Sequence, residues 1–173
     1  IYPLDQINVA LQDLKENRLE EFFRNNDILD KVIIEDYKIP QNRSFKIIKA
    51  FYLLVLHIFE VKTLLKCFRE EKWKFRQIFA CHFFYQFRNY DIIHVEYGTN
   101  VRPLDLYKKV GFIQAKLIVS FHGHDAFFPI NGIIPNDGYY HDLFKYGDLI
   151  VANTEYLANQ IESIGCEKNK IKI

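Results

Sequence analysis

Four short apolar runs, rich in β-branched residues, recur through the second half of the chain: Asp91–Val95, Lys116–Phe121, Asp148–Ala152 and Lys170–Ile173. Their starts lie 25, 32 and 22 residues apart, the cadence of strand–helix–strand units of roughly 30 residues. Near-continuous apolar strands are what a parallel sheet covered on both faces requires. The expected fold is therefore α/β: a Rossmann-like parallel sheet flanked by helices over 91–173, preceded by a mostly helical stretch over 1–88. At 173 residues the chain has the length of about one domain, so 1–173 reads as a single unit.

The helices between the runs carry their own punctuation. Thr154 can cap the last one, Leu157, Ile161 and Ile164 form one apolar stripe, and Gly165 can take the left-handed position after its end. A shorter helix is expected around Tyr139–Tyr146, between the turn-rich Pro135-Asn136-Asp137-Gly138 and Gly147. Phe127–Gly138 then forms a long loop, a length more often functional or mobile than merely connecting.

The first half predicts a long helix over Arg43–Glu71 and a second over Lys72–Arg88. Residues 43–88 hold ten Lys and Arg against three acids, a balance of +7, so the net charge of +1 conceals a dipolar chain. At about 100° per residue, Lys46, Lys49, His57 and Glu60 fall on one stripe, whereas Lys62, Lys66 and Arg69 fall roughly opposite. Either the helix breaks near Glu60–Lys62, or it is buried along much of its girth.

Other classes are excluded by composition. With 49% apolar and 26% charged residues the chain is neither disordered nor collagen-like. The longest apolar run, Ala50–Phe59, is interrupted by His57 and is about half the length of a membrane-spanning helix. A near-zero net charge gives no field that would attract nucleic acid. Cys67, Cys81 and Cys166 are odd in number and far apart, which suits a reducing cytosol better than a disulfide framework or a structural zinc site. The chain opens on Ile-Tyr-Pro-Leu and contains no Met, so it reads as a piece of a longer protein. No secretory signal is read at its start.

In an open parallel sheet, ligands bind beyond the carboxyl ends of the strands. Three polar clusters sit there: Glu96-Tyr97-Gly98-Thr99-Asn100, His122-Gly123-His124-Asp125 and Asn153-Thr154-Glu155. His122 is the most pointed candidate, because Gly123 admits close approach to the backbone and an imidazole can donate to a developing negative oxygen. The plain alternative is a histidine satisfied by a neighbouring carbonyl. A metal held by His122, His124 and Asp125 is a weaker option, since no further ligand is distinguishable. Gly98, Thr99 and Asn100 could offer donors to an anionic or hydroxyl-rich ligand, or form an ordinary turn in which Asn100 caps the next helix. Glu155 is favoured in the first turn of its helix by the dipole whatever its function. Neither a Gly-rich phosphate loop nor a nucleophile elbow is present, and no cofactor is expected.

The basic segment interleaves aromatics with cations through Lys62, Lys66, Arg69, Lys72, Trp73, Lys74 and Arg76. It suits an anionic membrane surface, and equally a core-packing helix pair with a solvated basic face. No recognised RNA motif accompanies it.

Taken in order, DIIHVEYGTN, KLIVSFHGHDAFFP and YYHDLFKYGDLIVANTEYLANQIESIGCEKNKIKI resemble the N-terminal domain of family-four glycosyltransferases of the GT-B fold, especially those building bacterial exopolysaccharide and lipopolysaccharide. The match covers about the last half of the chain. The resemblance implies a retaining, metal-independent transferase at the cytoplasmic face of the plasma membrane, with a nucleotide-sugar donor and a glycan or lipid-linked acceptor. It implies that His122 contacts the donor sugar and supports departure of the nucleotide, that Gly123 and Asp125 belong to the same motif, and that Gly98–Asn100 face the cleft. The role of Asn153, Thr154 and Glu155 is expected to be chiefly structural. The family's first strand would precede Ile1 and its donor-binding domain would follow Ile173, so this piece is not expected to turn over by itself. A noncatalytic α/β module that docks a membrane or a protein through Arg43–Arg88 is the competing expectation.

Overall fold

A computed structural model describes residues 7–10, 19–27, 31–35, 37–70, 74–127 and 138–173. Strands β1 (Ile7–Ala10) and β2 (Val32–Glu35) pair in parallel, with α1 (Leu19–Asn25) between them in sequence. Helix α2 (Arg43–Leu56) starts where Asn42 caps it: the side-chain oxygen accepts from the Ser44 amide at 2.9 Å and the Phe45 amide at 3.3 Å. Its end settles the charge-stripe switch, because the helix breaks. A 3-10 turn over Ile58–Glu60 separates α2 from α3 (Val61–Glu70), so the described part of the expected Arg43–Glu71 helix is two helices, each free to present its own face; Glu71 lies outside the described residues. The helix expected over Lys72–Arg88 is α4 (Lys74–Phe84), followed by a 3-10 turn over Tyr85–Phe87.

The second half builds the four-stranded sheet. Strands β3 (Ile92–Glu96), β4 (Lys116–Phe121), β5 (Leu149–Ala152) and β6 (Ile171–Lys172) lie side by side in that order, all parallel. Between them come α5 (Leu104–Lys109), α6 (His124–Phe127), α7 (His141–Tyr146) and α8 (Glu155–Ser163). This is the Rossmann-like α/β fold that the apolar cadence predicts, with β3 shifted one residue later than its run and β6 reduced to two residues. Helix α8 follows its signals: Thr154 Oγ1 accepts from the Leu157 amide at 3.2 Å, Leu157 and Ile161 are buried, and Gly165 has φ +110°.

Register decides which side of the sheet is core. Val95 pairs with Val119 and Val119 with Ile150, while Phe121 pairs with Ala152. All five are buried in one cluster with Tyr107, Leu143, Leu157 and Ile161 from the crossover helices. Each crossover advances one strand in the same direction, so right-handed connection places its helix on the same face. The opposite face carries His94, Ile118 and Leu149 in one row and Glu96, Ser120, Val151 and Lys172 in the next, and His94 and Glu96 stand exposed there.

Asp148 ties the strands together where they begin. Its carboxylate accepts from Lys108 and Lys116 at 2.9 Å each and from the Leu117 amide at 2.9 Å. Burial alone would raise its pKa, but these three donors outweigh it and hold the group at about 2. Helices α3 and α4 join the same core through Leu64, Cys67, Ala80, Cys81 and Phe84. All three cysteines are buried and none is in a disulfide. Among the described residues no helix is long and apolar enough to cross a membrane.

Candidate functional site

The carboxyl ends of β3 and β4 meet in register, Glu96 opposite Ser120. Because side chains alternate along a strand, His94 and Glu96 project to the same face, away from the core side taken by Val95. His94 Nε2 bonds to Ser120 Oγ at 2.7 Å and lies 3.6 Å from Glu96 Oε1. The other carboxylate oxygen, Oε2, is 2.6 Å from His122 Nε2. Glu96 therefore stands between two imidazoles, and His122 answers to a carboxylate rather than to a backbone carbonyl.

The backbone around His122 is held from beneath. Asp125 is 1% exposed, and its Oδ1 accepts from the His122 amide at 3.0 Å and the Gly123 amide at 3.1 Å. Its Oδ2 accepts from the Gly98 amide at 2.7 Å. Three amide donors compensate one buried charge, which is what such a charge requires. Tyr140 seals the turn by donating its hydroxyl to the Asp125 carbonyl at 2.7 Å, and burial pushes that phenol well above its usual range.

Two backbone features explain the glycines. Gly123 has φ +112°, a conformation that a side chain would strain; the space around it is open. Gly98 is needed for close approach, since a Cβ there would fall within the ring of Phe121. Tyr97, immediately before Gly98, adopts φ +68°, which is uncommon for a bulky residue and concentrates at functional sites. Its amide donates to the Ser120 carbonyl at 2.9 Å, and its ring centroid lies 4.4 Å from that of His122.

Of the residues read from sequence, His122, Gly123, Asp125 and Gly98 form one hydrogen-bonded unit. Asp125 acts on the rim only through the turn it fixes. With both its oxygens on backbone amides it is not available to a cation, which removes the carboxylate from the His122–His124–Asp125 metal option. Among the described residues no group of three or more His, Cys, Asp or Glu is arranged to hold a metal. Gly98–Asn100 form a 3-10 turn. Asn100 does not cap the following helix: its side-chain amide donates to the Glu96 carbonyl at 3.0 Å, and α5 starts after Pro103 with no side-chain cap. Thr99 gives its carbonyl to the Tyr139 hydroxyl at 3.3 Å. Glu155 is exposed in the first turn of α8, beside the unit rather than in it; its neighbour Tyr156 stacks on Phe127 at 6.0 Å.

Sequence reasoning missed the part played by His94, Ser120, Tyr97 and Arg102. The alternation that puts His94 and Glu96 on one face was readable, but the pairing with Ser120 was not. Arg102 sits 4.4 Å from the Tyr139 ring and donates to the Tyr139 carbonyl at 3.3 Å. A cavity of about 470 Å³ shares Tyr139 and Tyr140 with this region but includes neither His122 nor Glu96, so side-chain chemistry rather than concavity locates the site. In the basic segment Lys62, Lys66 and Arg69 are exposed on α3. Arg76 is exposed on α4, its guanidinium 5.7 Å from the Tyr37 ring. Lys72, Trp73 and the Lys74 side chain lie outside the described residues.

Fold and site together define a Rossmann-like α/β protein with a carboxylate–imidazole pair at the carboxyl rim of its sheet. No protein-family model matches the chain, and neither a curated protein nor a solved structure matches it significantly. The glycosyltransferase resemblance thus stands on the ordered motifs alone.

Proposed function

We propose that this chain is the acceptor-side part of a retaining glycosyltransferase, moving a sugar from a nucleotide-sugar donor to a growing glycan or lipid-linked acceptor in cell-surface polysaccharide synthesis. The observation that carries the reading is the 2.6 Å contact between His122 and Glu96 at the strand-end rim, on a turn fixed by Asp125. The Glu96 carboxylate at Nε2 fixes the orientation of the imidazole. The ring is then suited to donate a hydrogen bond to the donor sugar and to support departure of the anionic nucleotide. Glu96 and Asp125 are positioning residues: one orients the ring, the other the backbone that carries it.

Transfer measured with a panel of nucleotide-sugars in the full-length protein tests this. The His122→Ala variant is expected to lose about 100-fold or more in turnover and Glu96→Gln about tenfold, with thermal midpoints unchanged because both side chains are substantially exposed. Transfer that survives His122→Ala undiminished, or no transfer from any donor by the wild type, overturns the assignment.

A further inference from the structure

Helix α2 is turned inside out relative to an ordinary surface helix. Its buried side is narrow, Ala50 and Leu53, and the cations of the polar stripe accompany it. Lys49 donates to the Lys38 carbonyl at 2.8 Å and lies 5.8 Å from the Phe79 ring centroid, while Lys46 is half-buried. The outward side is apolar. Phe45, Ile48, Phe51, Tyr52 and Val55 are each more than half exposed, and Phe59, in the 3-10 turn that follows, is 96% exposed. Side chains of this size leave on the order of 500 Å² of contiguous apolar surface in water, at the upper end of what a monomer shows and typical of a functional patch.

What covers this face is indicated by its neighbour. Helix α3 turns Lys62, Lys66 and Arg69 outward. Of the acids in the segment, Glu60 is held by Arg88 and Glu70 by Lys109, and Glu71 lies outside the described residues. The apolar helix and the cationic one are joined by the Ile58–Glu60 turn and both pack on α4. A second copy of the chain docked there would bring like charges together. An anionic bilayer satisfies both faces, since apolar residues enter the acyl boundary while nearby cations are drawn to the headgroup field.

We propose that the outer face of α2, with Phe59 at its end, seats in an anionic membrane and that α3 contacts the headgroups. The sequence offers Lys62, Lys66, Arg69, Lys72, Trp73, Lys74 and Arg76 as a membrane surface, or equally as a solvated basic face; the proposal takes its apolar component from 45–59 instead. The proposal rests on α2 and α3 and is independent of sugar transfer.

The test is co-sedimentation of the full-length protein with phosphatidylcholine vesicles, alone or containing about one third phosphatidylglycerol. The wild type is expected to bind the anionic vesicles, less so as salt rises. Phe51→Ser/Phe59→Ser and Lys62→Glu/Lys66→Glu/Arg69→Glu are each expected to weaken binding at least about tenfold with unchanged circular dichroism, as all five positions are exposed. Absence of binding at low salt overturns the proposal, as does wild-type binding by the Phe51→Ser/Phe59→Ser variant. Dimerisation that this variant abolishes, without vesicle binding, would also overturn it and assign the face to a second copy.

Discussion

The Gly98 amide donates to Asp125 Oδ2 at 2.7 Å across 27 residues of sequence, joining the turn after β3 to the turn after β4. The same carboxylate holds the amides of His122 and Gly123. The position of the imidazole thus depends on a residue that is itself out of reach of any ligand.

Replacing Asp125 by Asn keeps the volume but turns an amide group toward backbone donors, leaving at least one of three N–H groups without an acceptor. The expected cost is about 2 kcal/mol, or a fall of about 5 °C in thermal midpoint. Calorimetry checks it, and an unchanged midpoint would show that the buried carboxylate does not hold the turn.

Gly98→Ala introduces a methyl group where the Phe121 ring already sits. Overpacking of this kind costs about 1–3 kcal/mol. Since the clash is with the ring tip, Gly98→Ala combined with Phe121→Leu should recover part of the loss. Denaturant midpoints of the single and double variants decide, and simple additivity would place the strain elsewhere.

At the break between α2 and α3, His57 Nε2 and His82 Nδ1 are 2.9 Å apart. Burial lowers the pKa of both, reinforced by the charge of His82 at His57 and by that of Lys49 at His82, with Glu60 opposing the shift at His57. Tyr85 packs on His57, and Arg88 holds Glu60 close by. A histidine whose folded pKa lies below its unfolded value of about 6.5 binds fewer protons folded than unfolded. Stability is therefore unaffected at higher pH and falls as pH drops below that value toward the folded pKa. Thermal midpoints between about pH 7.5 and 5.5 should decline in the wild type and decline less in His57→Gln/His82→Gln. Identical slopes would remove the pair as the cause.

The sequence by itself determined the parallel sheet, the order of its strands along the chain and the capped helix α8. These follow from local chemistry: apolar β-branched runs at a repeating interval, a Thr before an amphipathic stripe, a Gly after it. It also placed His122, Gly98 and Asp125 at strand ends. That Asp125 reaches the Gly98 amide, and that Glu96 meets His122, was decided by the tertiary structure, because each contact spans more than 20 residues and depends on the register of β3 against β4. The orientation of α2 was decided there too. Periodicity fixes which residues share a helix face, but which face turns inward depends on what the helix packs against, and here Ala50 and Leu53, with half-buried Leu54, pack with Ile78 and Phe79 of α4, leaving the aromatic side of α2 exposed.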